Sequence, residues 1–255
     1  MLVVVSPAKR LGATDVAAAT APRFPEETAT LVRALRRQGI AGLAALMDLS
    51  EPLARLNRDR YRDWDAAPET PAAFTFAGDT YLGLEAATLD ADALRWAQER
   101  LRILSGLYGV LRPLDAIRPH RLEMGTKLRT RRGRDLYRFW GPRIAETLRA
   151  DAEAAGARVV LNCASVEYFG AVDREALGLP VVTPVFLEDR PGGPKQIGAF
   201  AKRARGAMAR FAAETRLEAA DDLRAFAAGG YRWQASDSTP ERPVFLRTEA
   251  DQAAA

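Results

Sequence analysis

Apolar runs and amphipathic stretches alternate from the first residues of this chain. Leu2-Val3-Val4-Val5 is unbroken by polar residues, which predicts a strand buried on both faces, and it delivers Ser6-Pro7-Ala8-Lys9 at its carboxyl end. Small and polar residues over 12–25 predict a loop. Residues 26–37 predict a helix with acidic residues in its first turn and Gly39 as its stop. A short apolar piece, 43–47, leads to Ser50-Glu51-Pro52, where Ser50 predicts the N-cap of another helix and proline is tolerated in the first turn. On that helix Leu53, Leu56, Asn57, Tyr61 and Trp64 gather on one side and Arg55, Arg58 and Arg62 on the other, with Asp59 and Asp63 at the edge.

Residues 74–76 predict a short strand ending at Gly78-Asp79. Asp90 predicts the cap of a helix in which Leu94, Ala97, Leu101 and Leu104 keep helical spacing and Gly106 ends the run. Two Arg-Pro steps and three glycines make 105–125 a shaped loop, and it carries Arg112, Arg118, Arg121 and Glu123. Residues 125–137 alternate like a hairpin, with Lys127, Arg129 and Arg131 on one face and 132–134 at the turn. A helix over 142–155 precedes a buried strand, 159–161, that leads to Asn162-Cys163-Ala164-Ser165 and Glu167, repeating the plan of the first strand. Residues 181–187 predict another strand, and 244–246 the last. Over 198–215 the helical wheel sets Phe200, Ala204, Ala207 and Phe211 against Lys202 and Arg205. Gly206 in its interior costs about 1 kcal/mol relative to alanine, so it predicts a close approach by a backbone or a ligand. This alternation predicts a single α/β domain over 1–251, a mixed sheet surrounded by helices, with a frayed end at 252–255.

Composition narrows the chemistry. With 255 residues and 48% hydrophobic content the chain can bury a sizeable core. It has no run near the roughly 18 apolar residues of a membrane span and no secretory leader, so the expected compartment is the cytoplasm. One cysteine, Cys163, excludes an intrachain disulfide framework. With one histidine, His120, imidazole and thiolate ligands are too few for a zinc or iron centre, and no cofactor or metal is expected, although a carboxylate-only Mg²⁺ site stays open. A net charge of +4 and a pI near 9.4 fit a nucleic-acid footprint where the cations cluster. Only four of the 37 basic residues are lysine, so Lys9 stands out where arginine is the habit; an ammonium is a compact phosphate ligand or, when desolvated, a base.

Nine motifs in order along nearly the whole chain resemble the YaaA family, the peroxide stress resistance proteins also catalogued as DUF328 or UPF0246. They are Ser6-Pro7-Ala8-Lys9, Leu53-Ala54-Arg55-Leu56-Asn57, Gly78-Asp79-Thr80-Tyr81-Leu82-Gly83-Leu84, the stretch Leu104-Ser105-Gly106-Leu107-Tyr108-Gly109-Val110-Leu111-Arg112-Pro113-Leu114-Asp115, Arg121-Leu122-Glu123-Met124-Gly125, Leu136-Tyr137-Arg138-Phe139-Trp140, Ala164-Ser165-Val166-Glu167-Tyr168-Phe169, Lys202-Arg203-Ala204-Arg205-Gly206 and Gly230-Tyr231. The resemblance implies the family's single-domain α/β fold, a cytoplasmic role against hydrogen peroxide and iron damage, and DNA binding through a positively charged cleft. It also implies a helix-hairpin-helix-like element, best matched by the two helices around 39–64. Arg10, His120 and Cys163 depart from the residues common in the family, which argues against a peroxidatic thiol.

Three functions follow. In the first the protein binds duplex or branched DNA with little sequence preference: Arg55, Arg58, Arg62, the basic run 127–138, Lys202 and Arg205 neutralise phosphates, with Tyr61, Trp64 or Tyr168 against sugars or bases. In the second it is an enzyme for a small anionic or nucleotide-like substrate, with Lys9, Glu123 and Glu167 catalytic and Arg112, Arg121 and Lys202 as an anion clamp. In the third Lys9 forms a structural, buried ion pair with Glu167 or Glu123. Cations spread along a face favour the first; convergence with carboxylates around Lys9 favours the second.

Overall fold

The computed structural model of the chain describes residues 1–254, with side chains through residue 252. Strand β1 (Leu2–Val5) is buried throughout, as its unbroken apolar run requires. Helices α1 (Pro25–Arg36), α2 (Ile40–Met47) and α3 (Glu51–Arg62) follow, so the apolar piece at 43–47 belongs to a helix that turns at Asp48 in a left-handed conformation. Next come β2 (Thr70–Pro71), α4 (Ala72–Thr75), α5 (Asp79–Leu84) and α6 (Ala91–Arg100). The strand expected at 74–76 is instead the helical turn α4: Phe76 N–H closes on the carbonyl of Ala72, and Thr75 Oγ1 donates to that of Pro71 at 2.8 Å. The chain continues through β3 (Leu101–Ser105), β4 (Gly109–Leu111), β5 (Ala116–Ile117), α7 (Leu136–Trp140) and α8 (Arg143–Ala154). Then come β6 (Val160–Cys163), α9 (Val166–Phe169), α10 (Arg174–Leu177), β7 (Val181–Val182), β8 (Val185–Glu188) and α11 (Gly198–Thr215). The last elements are β9 (Arg232–Trp233), β10 (Val244–Arg247) and α12 (Glu249–Ala254). Residues 252–254, expected to fray, continue α12, and Ala255 lies outside the described residues.

The principal sheet has five strands in the order β4-β3-β1-β6-β7. Strand β1 pairs in parallel with β3 (Val5 opposite Ile103) and with β6 (Val5 opposite Cys163); only β4 runs antiparallel. The helix expected to run through Leu104 stops at Arg100, because 101–105 is taken up as the strand next to β1 and is buried at every position. Burial there includes Arg102, whose guanidinium bonds the carboxylate of Asp151 on α8 and the carbonyls of Gln98, Glu99 and Leu101. Arg23 adds a second cation on Asp151 at 2.6 Å, so the buried charges are compensated. The run 181–187 divides at Thr183-Pro184: β7 joins the principal sheet and β8 a second one, ordered β8-β10-β9.

Helix α11 crosses α5 at backbone contact. A Cβ on Gly206 would lie 1.7 Å from the carbonyl oxygen of Thr80, and one on Gly83 would lie 2.0 Å from that of Arg203. This is the close approach that Gly206 predicts, and a backbone makes it. The buried face of α11 is therefore alanine-rich, with Ala201, Ala204, Ala209, Ala212 and Ala213, while Phe200 lies exposed under the guanidinium of Arg247. On α3 the buried positions are Ala54, Asn57 and Tyr61; Leu53 and Leu56, expected on the core side, face solvent. Residues 125–137 form no hairpin ladder beyond the single bridge of Thr130 with Gly133, but Lys127, Arg129 and Arg131 do point outward, alternating with buried Thr126 and Leu128.

Candidate functional site

Because β3, β1 and β6 run parallel, their carboxyl ends share one edge of the sheet. The chain goes from β1 to β3 and β4 on one side, then crosses back to β6 and β7 on the other, so β1 marks the point where α/β sheets open a crevice for ligands. The segments leaving β1 and β6 are joined there: Ser165 N–H donates to Ser6 Oγ at 2.9 Å, and the two hydroxyls lie 3.3 Å apart. Tyr81 on α5 donates to the carbonyl of Ser6 at 3.1 Å. Beyond Lys9, Leu11 bridges Phe76, and Ala77 N–H donates to the carbonyl of Arg10 at 2.9 Å. Packed so closely that a Cβ on Gly78 would meet that of Ala8 at 2.9 Å, this seam holds Lys9 at the mouth of a cleft.

The cleft has a volume of about 460 Å³ and is lined by residues 6–10 after β1, 77–80 at the start of α5, Glu123, Cys163, Ser165, Glu167 and Tyr168 around β6, and Lys202 and Arg205 of α11. Lys9 Nζ is 3.1 Å from Glu123 Oε2 and is 63% exposed, so its ion pair lies at the surface. The other oxygen of Glu123 takes the Nε and Nη2 donors of Arg121 at 3.0 and 2.9 Å. Glu167 Oε1 accepts the N–H of Gly125 at 2.9 Å and pairs with no cation among the described residues. Its backbone carbonyl accepts from Tyr137 at 3.0 Å, so both ends of the basic segment 125–137 are tied to the Glu167 wall. Opposite, Lys202 and Arg205 lie one turn apart on α11 and have no carboxylate partner among the described residues. Burial pulls the half-buried guanidinium of Arg205 below the usual arginine range, against the opposing influence of Cys163.

The expected site residues therefore separate into three groups. Lys9, Glu123, Glu167, Lys202 and Arg205 line one cleft, with Arg121 behind Glu123. Lys127 stands on the adjoining segment. Arg55, Arg58, Arg62 and Arg112 lie outside the lining. Arg55 pairs with Glu51, Arg58 with Asp59, and Arg62 with Asp59 and Asp63. Arg112 pairs with fully buried Asp115 at 2.8 Å and bonds the carbonyl of Ala21, which makes it a loop brace rather than part of an anion clamp. Each of these carboxylate partners lies within four residues of its arginine, and the neutralising role left open for Asp59 and Asp63 at the edge of the α3 arginine face is the one they take. Ser6, Ser165 and Arg10 are cleft residues that the candidate set lacks; their signal was their place directly after the two buried strands.

A family model described as peroxide stress protein YaaA matches residues 1–237. The chain belongs to the YaaA family. Among its relatives, a UPF0246 protein of Jannaschia sp. (strain CCS1) is 56% identical over 258 residues, covering all of both chains. A UPF0246 protein of Cereibacter sphaeroides is 59% identical over 255 residues, covering 97% of this chain and 99% of the relative. In this YaaA-family chain the two residues of interest for peroxide chemistry are both buried. Burial pushes the Cys163 thiol up to about 12, so at neutral pH it is not the thiolate nucleophile that attacks peroxide. His120 lies edge-on to Trp64, Tyr108 and Phe76, and burial brings its imidazole down to about 4. Trp64 and Tyr61 are likewise core; Tyr168, though nearly buried, keeps an edge on the cleft, so of the three aromatics considered for base contacts it alone has access to a ligand there. Among the described residues no group of three or more His, Cys, Asp or Glu is placed to hold a metal ion, and no helix is long and apolar enough to cross a membrane.

Proposed function

We propose that this YaaA-family protein acts in peroxide stress by binding DNA, duplex or branched and with little sequence preference, through the cleft at the carboxyl ends of β1 and β6. The observation that carries the reading is the distribution of unpaired cations. Arg10, Lys202 and Arg205 line the cleft, and Lys127, Arg129, Arg131 and Arg138 lie on or beside the segment tied to its Glu167 wall, all without a carboxylate partner among the described residues. Cations already neutralised by a neighbouring carboxylate release few counterions from DNA; unpaired ones release theirs fully. Protection by occupancy needs no redox group, which fits a buried, protonated Cys163. Such a protein would work in the cytoplasm, beside the chromosome.

The convergence of Glu123 and Glu167 with Lys9 favours a second reading, an enzyme for a small anionic substrate in the same cleft. A salt-titrated mobility shift on duplex and four-way-junction DNA decides between them. Under the first reading the unmodified protein shifts both at low salt, Lys202→Ala with Arg205→Ala weakens the shift about tenfold or more, and the triple change of Arg55, Arg58 and Arg62 to alanine alters it little. Absence of any shift at 50 mM salt transfers the weight to the enzyme.

A further inference from the structure

The two walls of the cleft carry opposite, unsatisfied charge. Four buried or half-buried arginines elsewhere sink their charge into carboxylates, Arg102 into Asp151, Arg112 into Asp115, Arg121 into Glu123 and Arg247 into Glu188, while half-buried Arg60 and Arg100 bond neutral oxygens of Asn57 and Ala155. Arg205 is half-buried and has neither an ion pair nor a hydrogen bond to protein among the described residues, and Lys202, one turn earlier, is equally unpartnered. A half-buried guanidinium with a planar fork of donors and an exposed ammonium one turn away, neither with a carboxylate partner among the described residues, fit one phosphate group. Facing them, Glu167 uses one oxygen on Gly125 N–H and leaves its remaining acceptor capacity to the cleft.

Size restricts the ligand further. About 460 Å³ lies within the roughly 300–1,000 Å³ of small-molecule sites, and the lining is mixed in sign: Lys9, Arg10, Lys202 and Arg205 against Asp79, Glu123 and Glu167. A surface serving only a polyanion backbone would have no use for Asp79 and Glu167, carboxylates without a cation partner among the described residues, which repel phosphates. A molecule with a phosphate at one end and hydrogen-bond donors at the other uses both walls. We propose that the cleft is a single-nucleotide site, in which Arg205 and Lys202 hold one phosphate group and Glu167 accepts from a donor on the attached sugar or base. The inference rests on the reading of the cleft as an anion site. The nucleotide has two sources, a free 5′-mononucleotide or the 5′-phosphorylated terminal residue of a DNA strand.

The test is calorimetric titration with each of the four deoxynucleoside 5′-monophosphates, with deoxyadenosine and with inorganic phosphate, alongside short DNA carrying a 5′-phosphate or a 5′-hydroxyl. At least one monophosphate binds and the nucleoside does not. Lys202→Gln, at an exposed position that cannot compromise folding, and Arg205→Gln each weaken the monophosphate and inorganic phosphate by about tenfold or more. Glu167→Gln lowers the ratio of nucleotide to phosphate affinity several-fold, because the amide oxygen stays on Gly125 N–H and an NH2 donor replaces the acceptor turned to the nucleotide, while a charge that phosphate avoids is lost. Preference for 5′-phosphate over 5′-hydroxyl DNA assigns the strand end as the source; equal affinity for the two, with monophosphate binding intact, assigns the free nucleotide. If duplex DNA shifts but no monophosphate binds or competes, the single-nucleotide site is overturned and the DNA reading stands. Should a monophosphate bind while DNA does not, the site stands and the DNA reading falls; if neither binds, both fall.

Discussion

His120 packs edge-on against Tyr108 with ring centres 5.2 Å apart, and its Nδ1 donates to the carbonyl of Arg118 at 2.8 Å. Burial, the largest cause, lowers its pKa to about 4, with the charge of Arg60 adding to the effect and the bond to Arg118 opposing it. In the unfolded chain the imidazole titrates near its ordinary value of about 6.5. Between those two values the unfolded state binds a proton that the folded state refuses, so stability falls as pH drops through the window and is fully retained above it. The slope from this one group reaches at most about 1.4 kcal/mol per pH unit, or roughly 3 kcal/mol over the window. Urea unfolding of the intact protein at intervals from pH 7 to pH 4.5 checks this against His120→Phe, which keeps a ring among the same neighbours. The variant loses the histidine's share of the acid slope; parallel curves for the two proteins reject the assignment. At the same scale, the place of Cys163 after an apolar run already argued against a reactive thiol, and the structure buries it, whereas the half-buried, unpaired state of Arg205 was not visible. Whether a thiol is a nucleophile or an inert core group depends on burial, and burial here comes from β6 lying beside β1.

The contact of α5 with α11 is set by two glycines on facing helices. An alanine at 206 raises intrinsic helix propensity by about 1 kcal/mol, yet its Cβ would sit 1.7 Å from the carbonyl of Thr80, a backbone atom that cannot swing aside. The helices must separate, and overpacking of this kind costs about 1–3 kcal/mol or more. Gly206→Ala is therefore expected to lower the urea midpoint despite its better propensity, and to weaken ligand binding as well, since α11 carries Lys202 and Arg205 while α5 carries Asp79 and Thr80 of the cleft. A midpoint equal to or above that of the unmodified protein contradicts the packing argument. The glycine was a readable signal because a helix interior disfavours it without cause. The strands β1 and β6 were readable for a related reason, since unbroken apolar runs leave few options. By contrast β3 was hidden: Leu94, Ala97, Leu101 and Leu104 keep helical spacing across a helix–strand junction, and only pairing with β1 decides where the helix ends. On α3 the wheel placed Leu53 and Leu56 inward, but Tyr61, whose hydroxyl reaches the carbonyl of Arg121 at 2.6 Å, sets the rotation of the helix.

Across the whole molecule, a net charge of +4 understates how unevenly the cations are neutralised. Those of α3 sit among Glu51, Asp59 and Asp63, whereas Lys127, Arg129 and Arg131 project from an extended segment whose inward positions are buried Thr126 and Leu128. The α3 partners were legible as near neighbours in sequence, but other pairing is tertiary; Glu123 reaches Lys9 from 114 positions away, and that partner decides what charge is left for a ligand. For duplex DNA the logarithm of affinity falls with the logarithm of salt concentration by about 0.9 per phosphate neutralised. Changing Lys127, Arg129 and Arg131 together to alanine should then reduce the slope by up to about 2.7 with the thermal midpoint unchanged, because none of the three is buried or has a carboxylate partner among the described residues. The matched triple change at Arg55, Arg58 and Arg62 should leave the slope nearly as it was, since those cations are already engaged by neighbouring carboxylates and lie outside the cleft lining. Slopes measured by fluorescence anisotropy between 50 and 200 mM salt on one duplex compare the two variants directly. Equal losses in both would mean that local carboxylates do not screen these arginines from DNA, and the cleft would lose its claim to be the principal contact.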